Sequence, residues 1–367
     1  MATMISAACE KPIRVLCCPR LDRMGASSRY RSYQYLPYLR QHGFEIDVVP
    51  LLNDNYLQVR YAAGRRSTIH VVPGYVRRWL RFRRRDYDLL WTEKEAFPWI
   101  PWWIEALSLP KAIPYVVDYD DAEFHRYDTH SLAPVRFLLG RKIDKVMRCA
   151  AMVIAGNAYI AERARQAGAA GVEWLPTVVD LDRYPVVPPP PNEVFTIGWI
   201  GTPITAHFLQ IVGPALRKIS RNGSARLVAI GSGPLVLPDV PVEVVSWSEE
   251  TEVWNIQQFD VGIMPLSDTP NSRGKCGLKL IQYMACRRPV VGTPVGANSE
   301  IIQHGVNGFQ ATTIEEWVGA LEKLRADTAL REQMGQAGRR IVEERYSLSV
   351  AAPRLASLLC AAATQSS

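Results

Sequence analysis

Twice along this chain a short apolar run with strand character passes through a loop into a helical stretch, and one proline-rich seam separates the two series. The seam is Tyr184-Pro185-Val186-Val187-Pro188-Pro189-Pro190-Pro191. Proline lacks the N–H that a helix or a central strand needs, so this run ends both and stiffens into an extended spacer. Before it, Ile13–Pro19 reads as a buried strand, Gly25–Ser28 as a loop, Tyr30–His42 as a helical stretch and Phe44–Pro50 as a second strand. Strand candidates recur at Asp88–Thr92, Tyr115–Asp118, Met152–Ala155 and Val172–Leu175. After the seam come Phe195–Ile200, a helix over Pro203–Ser220, Arg226–Ile230, Val242–Val245, a helix over Glu249–Gln258, Val261–Pro265, a helix over Gly277–Cys286, Pro289–Thr293 and a helical tail. Strands alternating with helices predict parallel sheets wrapped on both faces.

The chain is therefore expected to be α/β: two Rossmann-like, doubly wound domains facing a central cleft, with ligands outside the carboxyl ends of the strands. Its 367 residues exceed what one core holds. The expected organisation is a first domain over 1–187, a linker over 188–194, a second domain over 195–346 and a terminal segment over 347–367. That last helix is a candidate to pack back on the first domain.

Composition excludes fibrous and disordered classes, since 48% of residues are hydrophobic and 22% charged. No apolar run reaches the roughly 18–20 residues of a membrane helix, and Met1–Glu10 lacks a basic leader, so a cytoplasmic protein is expected. Cys9, Cys17, Cys18, Cys149, Cys276, Cys286 and Cys360 form no C-x-x-C pair and read as buried thiols in a reducing compartment. The histidines are scattered, and no metal site is expected. The net charge of +7 lies entirely in residues 1–191.

Two segments of the second half suit phosphate. In Gly198-Trp199-Ile200-Gly201-Thr202-Pro203, Thr202 is a good N-cap and Gly201 lets a ligand approach the backbone; free N–H groups and the helix dipole would attract an anion there. A capped helix with no ligand explains the same residues about equally well. In Arg273-Gly274-Lys275-Cys276-Gly277-Leu278-Lys279-Leu280-Ile281-Gln282, helical spacing stacks Lys275, Lys279 and Gln282. Cations at a helix start oppose its dipole and make better sense with an anion between them, although a solvated polar face is the plainer alternative. Gln282 could hold a sugar hydroxyl through its amide.

The span Phe195–Phe309 resembles the donor domain of retaining GT-B glycosyltransferases of the group 1 (family four) type. The resemblance rests on Gly198–Gly201, Lys279–Cys286, Pro289-Val290-Val291, Gly296–Ile302 and His304–Phe309. In the first half, Gly25–Arg31, Gly156-Asn157 and Leu175–Asp180 extend it. It implies transfer of a hexose from a nucleotide diphosphate sugar to a glycan or lipid-linked acceptor, with retention, the donor being a co-substrate, with no cofactor and no metal. The family's pair of glutamates falls here on Gly274 and Gln282, and its diphosphate-binding Arg and Lys are missing from Thr202–Gln210. Lys279 with Arg273 or Lys275 is the expected substitute; Glu300 joins the donor contacts. Arg287-Arg288 depart from the family without an evident chemical role. A nucleotide-sugar 2-epimerase and a non-catalytic nucleotide-sugar-binding subunit are the alternative readings.

In the first half, Asp118-Tyr119-Asp120-Asp121-Ala122-Glu123-Phe124-His125 ends a strand in carboxylates and a histidine. Such groups can orient hydroxyls or share a proton, or simply cap the next helix. The resemblance favours Asp120 or Asp121, then His125. Gly25 and Arg29 could touch donor phosphate or a charged acceptor, whereas Arg31 is expected to face solvent. The basic run Arg77–Arg85, followed by Trp99, Trp102 and Trp103, suits peripheral contact with an anionic membrane, the inner face of the plasma membrane, better than nucleic acid; a solvated helix is the plain alternative.

Overall fold

The computed structural model describes residues 11–63, 68–84, 86–189 and 192–364. Cys9, Arg85, Pro190, Pro191 and the Met1–Glu10 start lie outside the described residues. The chain divides into two compact units, residues 1–177 with 348–367, and residues 178–347.

The first unit holds six parallel strands: β1 (Ile13–Cys18), β2 (Phe44–Val48), β3 (Leu89–Glu93), β4 (Tyr115–Tyr119), β5 (Met152–Ala155) and β6 (Val172–Trp174), in the order β2-β1-β3-β4-β5-β6. Strands buried on both faces read as continuous apolar runs, and β3 and β5 are buried along their whole length. The order reverses between β1 and β3, which leaves a crevice outside their carboxyl ends. The stretch expected as one helix over Tyr30–His42 is α1 (Ala26–Arg31), a 3-10 turn Tyr33–Tyr35 and a helix Leu36–Gln41. Pro37 explains the break, because its missing N–H and its ring are tolerated only in a first helical turn. Helix α2 (Thr68–Phe82) precedes β3.

The second unit repeats the plan with β7 (Phe195–Ile200), β8 (Ala225–Ile230), β9 (Val242–Val245), β10 (Val261–Met264), β11 (Val290–Gly292) and β12 (Gly308–Gln310), in the order β12-β11-β10-β7-β8-β9. Its helices include α3 (Leu209–Ile219), α4 (Leu278–Ala285) and α5 (Thr328–Arg345). Trp199, Leu209, Leu227, Ile263 and Trp317 meet in one core. At roughly 25 cal/mol per Å² such burial is the dominant favourable term for the unit. Here the order reverses between β7 and β10, which pair only through Ile197 and Gly198 against Val261 and Gly262. Beyond that point Tyr283 bridges the strands: it accepts from the Ile200 N–H at 3.0 Å and donates to the Ile263 carbonyl at 3.4 Å.

One boundary differs from expectation, and the terminal helix falls where it was expected. Val178–Tyr184 belongs to the second unit, ahead of the proline run, because the Val179 N–H donates to the Tyr346 carbonyl and Arg339 donates to the Tyr184 carbonyl. The final helix α6 (Leu348–Thr364) belongs to the first unit, with Ala352, Leu355, Ala356 and Leu359 buried. Among the described cysteines, Cys149 is exposed, contrary to the expectation of buried thiols, because it sits in the last turn of a surface helix.

Candidate active site

At the carboxyl end of β7, Gly201 continues the ladder by donating its N–H to the Ile230 carbonyl at 3.0 Å. The Thr202 N–H donates to the Thr205 hydroxyl at 3.2 Å. Both amides expected to meet an anion are therefore engaged. Thr202 is not a side-chain N-cap either: residues 203–205 form a turn, a 3-10 turn follows at Ala206–Phe208, and α3 starts only at Leu209. What Gly201 does contribute is space. A Cβ there would lie 2.4 Å from the Trp199 ring and 2.7 Å from Lys279 Nζ.

Lys279, in the first turn of α4, is half-buried, with its ammonium 4.0 Å from the Trp199 ring centroid. Among the described residues no carboxylate pairs with it. Burial, and secondarily the Lys275 charge, pull it down to about 7. A partly desolvated cation against an aromatic face, without a counter-ion, is an incomplete electrostatic arrangement that an anion would complete.

Its expected partners are placed differently. Arg273 forks onto Asp268 at 2.7 and 2.9 Å, so its charge is already met at the surface. Lys275 precedes α4, and its influence reaches Lys279 electrostatically. Gln282 is buried and its amide donates to the Tyr184 hydroxyl at 3.1 Å and to Glu252 at 3.0 Å, which turns it inward instead of toward a sugar hydroxyl. Glu252 also accepts from the Trp247 indole at 2.6 Å. Glu300 is exposed in the short helix Asn298–Ile301. The loop before that helix approaches Arg273: Gly296 has φ +56°, and a Cβ there would lie 2.5 Å from the Arg273 carbonyl.

In the first unit, the β1/β3 crevice gathers charge. Lys94, directly after β3, takes a left-handed backbone at φ +65° and places Nζ 3.0 Å from Asp120. A non-glycine residue there is strained and persists only where its surroundings hold it. Ser27 also donates to Asp120. Burial pushes the Asp120 carboxyl up, yet Lys94 and Ser27 outweigh it and hold it below the ordinary aspartate value. An ionised, doubly engaged carboxylate orients other groups better than it accepts protons. Beside it, Arg20 meets Glu123 at 2.7 Å, and Lys142 meets Glu95 at 2.6 Å and Glu105 at 2.8 Å. Glu93 accepts from Ser28 at 2.5 Å and from the Arg20 N–H at 3.0 Å.

The other expected residues of this unit are also engaged. The His125 ring is held by Asp128 and Tyr159, each at 2.8 Å, so both nitrogens have partners. The Asp121 carboxylate accepts from the Ala122 N–H at 3.0 Å. Gly25 is buried and its N–H donates to the Asp22 carbonyl. Arg29 is buried, donating to the Arg23 carbonyl at 3.1 Å. Arg31 does not face solvent: it is 1% exposed and forks onto Asp118 at 2.7 and 3.0 Å, because α1 turns that side toward β4. Sequence reasoning missed Arg20, Ser27, Glu93, Lys94 and Glu95; the charged run Glu93-Lys94-Glu95 straight after an apolar strand was the available signal.

Within the basic run, Arg78 is fully buried and donates to the Pro19, Val49 and Ala96 carbonyls, so it is an internal clasp. Arg77, Arg81 and Arg84 border an open groove with the exposed Val72, Val76 and Leu80. Among the described residues no helix is long and apolar enough to cross a membrane, and no group of three or more His, Cys, Asp or Glu lies together as for a metal.

Comparison with known proteins places these features in context. The family model of the glycosyl transferases group 1 matches residues 194–327. A curated relative, N-acetyl-alpha-D-glucosaminyl L-malate synthase of Bacillus anthracis, is 28% identical over 145 residues, which cover 38% of each chain. Among solved structures, sucrose-phosphate synthase from Thermosynechococcus elongatus superposes with TM-score 0.69 at 13% identity, over 94% of this chain and 98% of that one. Anabaena Alr3699/HepE in complex with UDP-glucose gives TM-score 0.65 at 16% identity, over 95% and 100%. These likenesses establish the GT-B fold.

Proposed function

We propose that this GT-B chain, whose residues 194–327 match the family model of the group 1 glycosyl transferases, moves a hexose from a nucleotide diphosphate sugar to an acceptor hydroxyl. The observation that carries this reading is Lys279, a cation without a carboxylate partner among the described residues, held on Trp199 at the carboxyl end of β7. It is a fitting receiver for the charge that grows on a departing diphosphate, and stabilisation of that kind is the largest single contribution in many enzymes. In the proposed step the acceptor oxygen bonds to the anomeric carbon as the carbon–oxygen bond to the diphosphate breaks. The diphosphate keeps the bonding pair and takes the acceptor proton on the same face, which corresponds to retention. No protein nucleophile enters, in keeping with the ion pair of Asp120 to Lys94, its hydrogen bond from Ser27 and the two partners of the His125 ring.

The second unit is assigned the donor and the first unit the acceptor, which we take to be a glycan or a lipid-linked glycan. Support for a lipid-linked acceptor comes from the groove of α2, where Arg77, Arg81 and Arg84 adjoin exposed Val72, Val76 and Leu80; such a mixture suits the inner face of an anionic membrane. The relevant test is a thermal-shift screen against UDP, GDP, ADP, CMP and dTDP and their sugars, followed by product analysis with the best donor. A nucleotide at a hundred times its Kd adds about 2.7 kcal/mol of stability. One base raising the midpoint, with loss of the effect in Lys279→Ala, is the expected result; no response to any nucleotide would overturn the donor assignment.

A further inference from the structure

A surface helix normally turns its apolar stripe inward and its polar residues to water. The helix Ala133–Leu139 of the first unit does the reverse. Leu139 is buried and Val135 half-buried, while Ala133, Pro134, Phe137 and Leu138, at i, i+1, i+4 and i+5, form an exposed face without a polar member. Phe137 is 89% exposed and Leu138 60%. Leu132, directly before the helix, is exposed as well; its N–H donates to the His130 ring at 3.1 Å, and the exposed Trp99 packs edge-on against that ring at 5.8 Å. Single exposed apolar side chains need no explanation, but a set gathered on one projecting helix does.

The charge around this face has one sign. From Thr129 to Cys149 every exposed charged side chain is a cation: Arg136, Arg141, Lys145 and Arg148. The last three recur at i, i+4 and i+7 along the helix Lys142–Cys149 and its cap, so they share one side of it. The nearby acids Asp128 and Asp144 are half-buried and already spent. Arg163 forks onto Asp144 at 2.7 and 3.1 Å and meets Asp128 at 3.2 Å, and the other Asp128 oxygen holds His125 at 2.8 Å. Arg136 is tied to the His130 and Ser131 carbonyls, and with Arg141, Gly140 and Gln166 it borders an open cavity of about 430 Å³.

These features select the occupant. A second copy in a two-fold contact would set the same cations against each other, and the stretch has no exposed acid to answer them. A folded protein would need a pocket matched to a projecting helix. A bilayer needs none, since acyl chains give way to apolar side chains while anionic headgroups meet the cations. We propose that the helix Ala133–Leu139 is a lipid-docking element: Phe137 and Leu138 enter the surface of a bilayer, and Arg136 and Arg141, with Lys145 and Arg148 behind them, meet the phosphates of anionic phospholipids. This surface shares no residue with the α2 groove. It deepens the lipid-facing reading of the first unit and rests on that reading.

The experiment is co-sedimentation of the whole chain with vesicles of phosphatidylcholine, alone or mixed with phosphatidylglycerol, at low and high salt, beside sedimentation velocity without lipid. Wild type is expected to bind the mixed vesicles, and less so at high salt. Phe137→Ser with Leu138→Ser should weaken binding by about tenfold or more at either salt, and Arg141→Gln with Lys145→Gln should remove most of the preference for phosphatidylglycerol. The thermal response to nucleotide, followed in the same samples, reports the donor reading separately: it can be absent while the vesicles bind, and present while they do not. Wild type that ignores the mixed vesicles, or a Phe137→Ser, Leu138→Ser variant that binds them as wild type does, overturns the proposal. So does a loss of binding confined to Val76→Ser with Leu80→Ser on α2, which leaves the α2 reading standing. A lipid-free dimer that Phe137→Ser with Leu138→Ser dissociates overturns it in favour of a second copy. If that double variant does not fold, Arg141→Gln with Lys145→Gln decides, and binding unchanged from wild type overturns the assignment.

Discussion

Lys279 reaches the face of Trp199 across Gly201, where any side chain would collide with both. The three residues come from a strand, a loop and a helix, yet they form a single unit in which the tryptophan carries the cation and the glycine clears its path. An aromatic face offsets part of the cost of desolvating an ammonium, by about 0.5–2 kcal/mol, and leaves the remainder to a bound anion.

Lys279→Ala should therefore cut transfer by about a hundredfold or more while the thermal midpoint stays level or rises, since the substitution removes a half-buried charge that lacks a carboxylate partner. Turnover with the best donor, measured beside thermal unfolding, checks both halves. A fall in the midpoint together with intact turnover would mean that the lysine is structural.

Gly201→Ala should reproduce much of that loss without removing the charge. Its methyl group would sit 2.7 Å from Lys279 Nζ, so the ammonium must swing off the Trp199 ring. Nucleotide affinity measured by calorimetry should fall by about tenfold, with the near-ultraviolet spectrum of the buried tryptophan altered.

Nucleotide binding should weaken as pH rises through about 7. Burial lowers Lys279 from 10.5 to about 7, so the folded chain holds fewer protons than the unfolded chain between those values, and the cost of the buried ammonium is present in full below 7 and relieved above it. A bound diphosphate favours the ammonium, so binding takes up a proton, and affinity should drop by up to about tenfold per pH unit above 7. UDP titrations from pH 7 to 9 in two buffers of different ionisation enthalpy measure this, and the Lys279→Ala profile should be flat.

Arg31→Leu should destabilise the chain by about 3–5 kcal/mol, because it strands Asp118, whose carboxyl burial already pushes up to about 6 despite the Arg31 contact. Asp118 contributes no extra stability from that contact below its folded value, so the difference between variant and wild type should shrink in urea unfolding below pH 6. Arg31→Lys should restore little, since one ammonium does not replace a fork.

The sheets were legible because β5 and β10 are apolar throughout and β3 and β7 are largely so, and a strand buried on both faces has no other pattern to show. The short β12, Gly308–Gln310, carries too little periodicity to be read as a strand. Lys279 was legible as a cation in the opening turn of a helix that should not have one. The fates of Gln282 and Thr202 were not, since a side chain's partner depends on what lies across the fold: Tyr184 and Glu252 for the first, and a nearby turn for the second. Arg31 illustrates the same limit, because helical phase alone could not say which flank of α1 meets β4. Arg287-Arg288 stood out as a departure, and only the structure separates the exposed Arg287 from the buried Arg288.

The assignment of α6 to the first unit reverses the order in which the halves can be finished during synthesis. The ribosome emits most of the first unit early, but Leu355, Ala356 and Leu359, which complete its packing, emerge only after all of the second unit. The half made first must wait, with an apolar flank uncovered, while the half made second is synthesised.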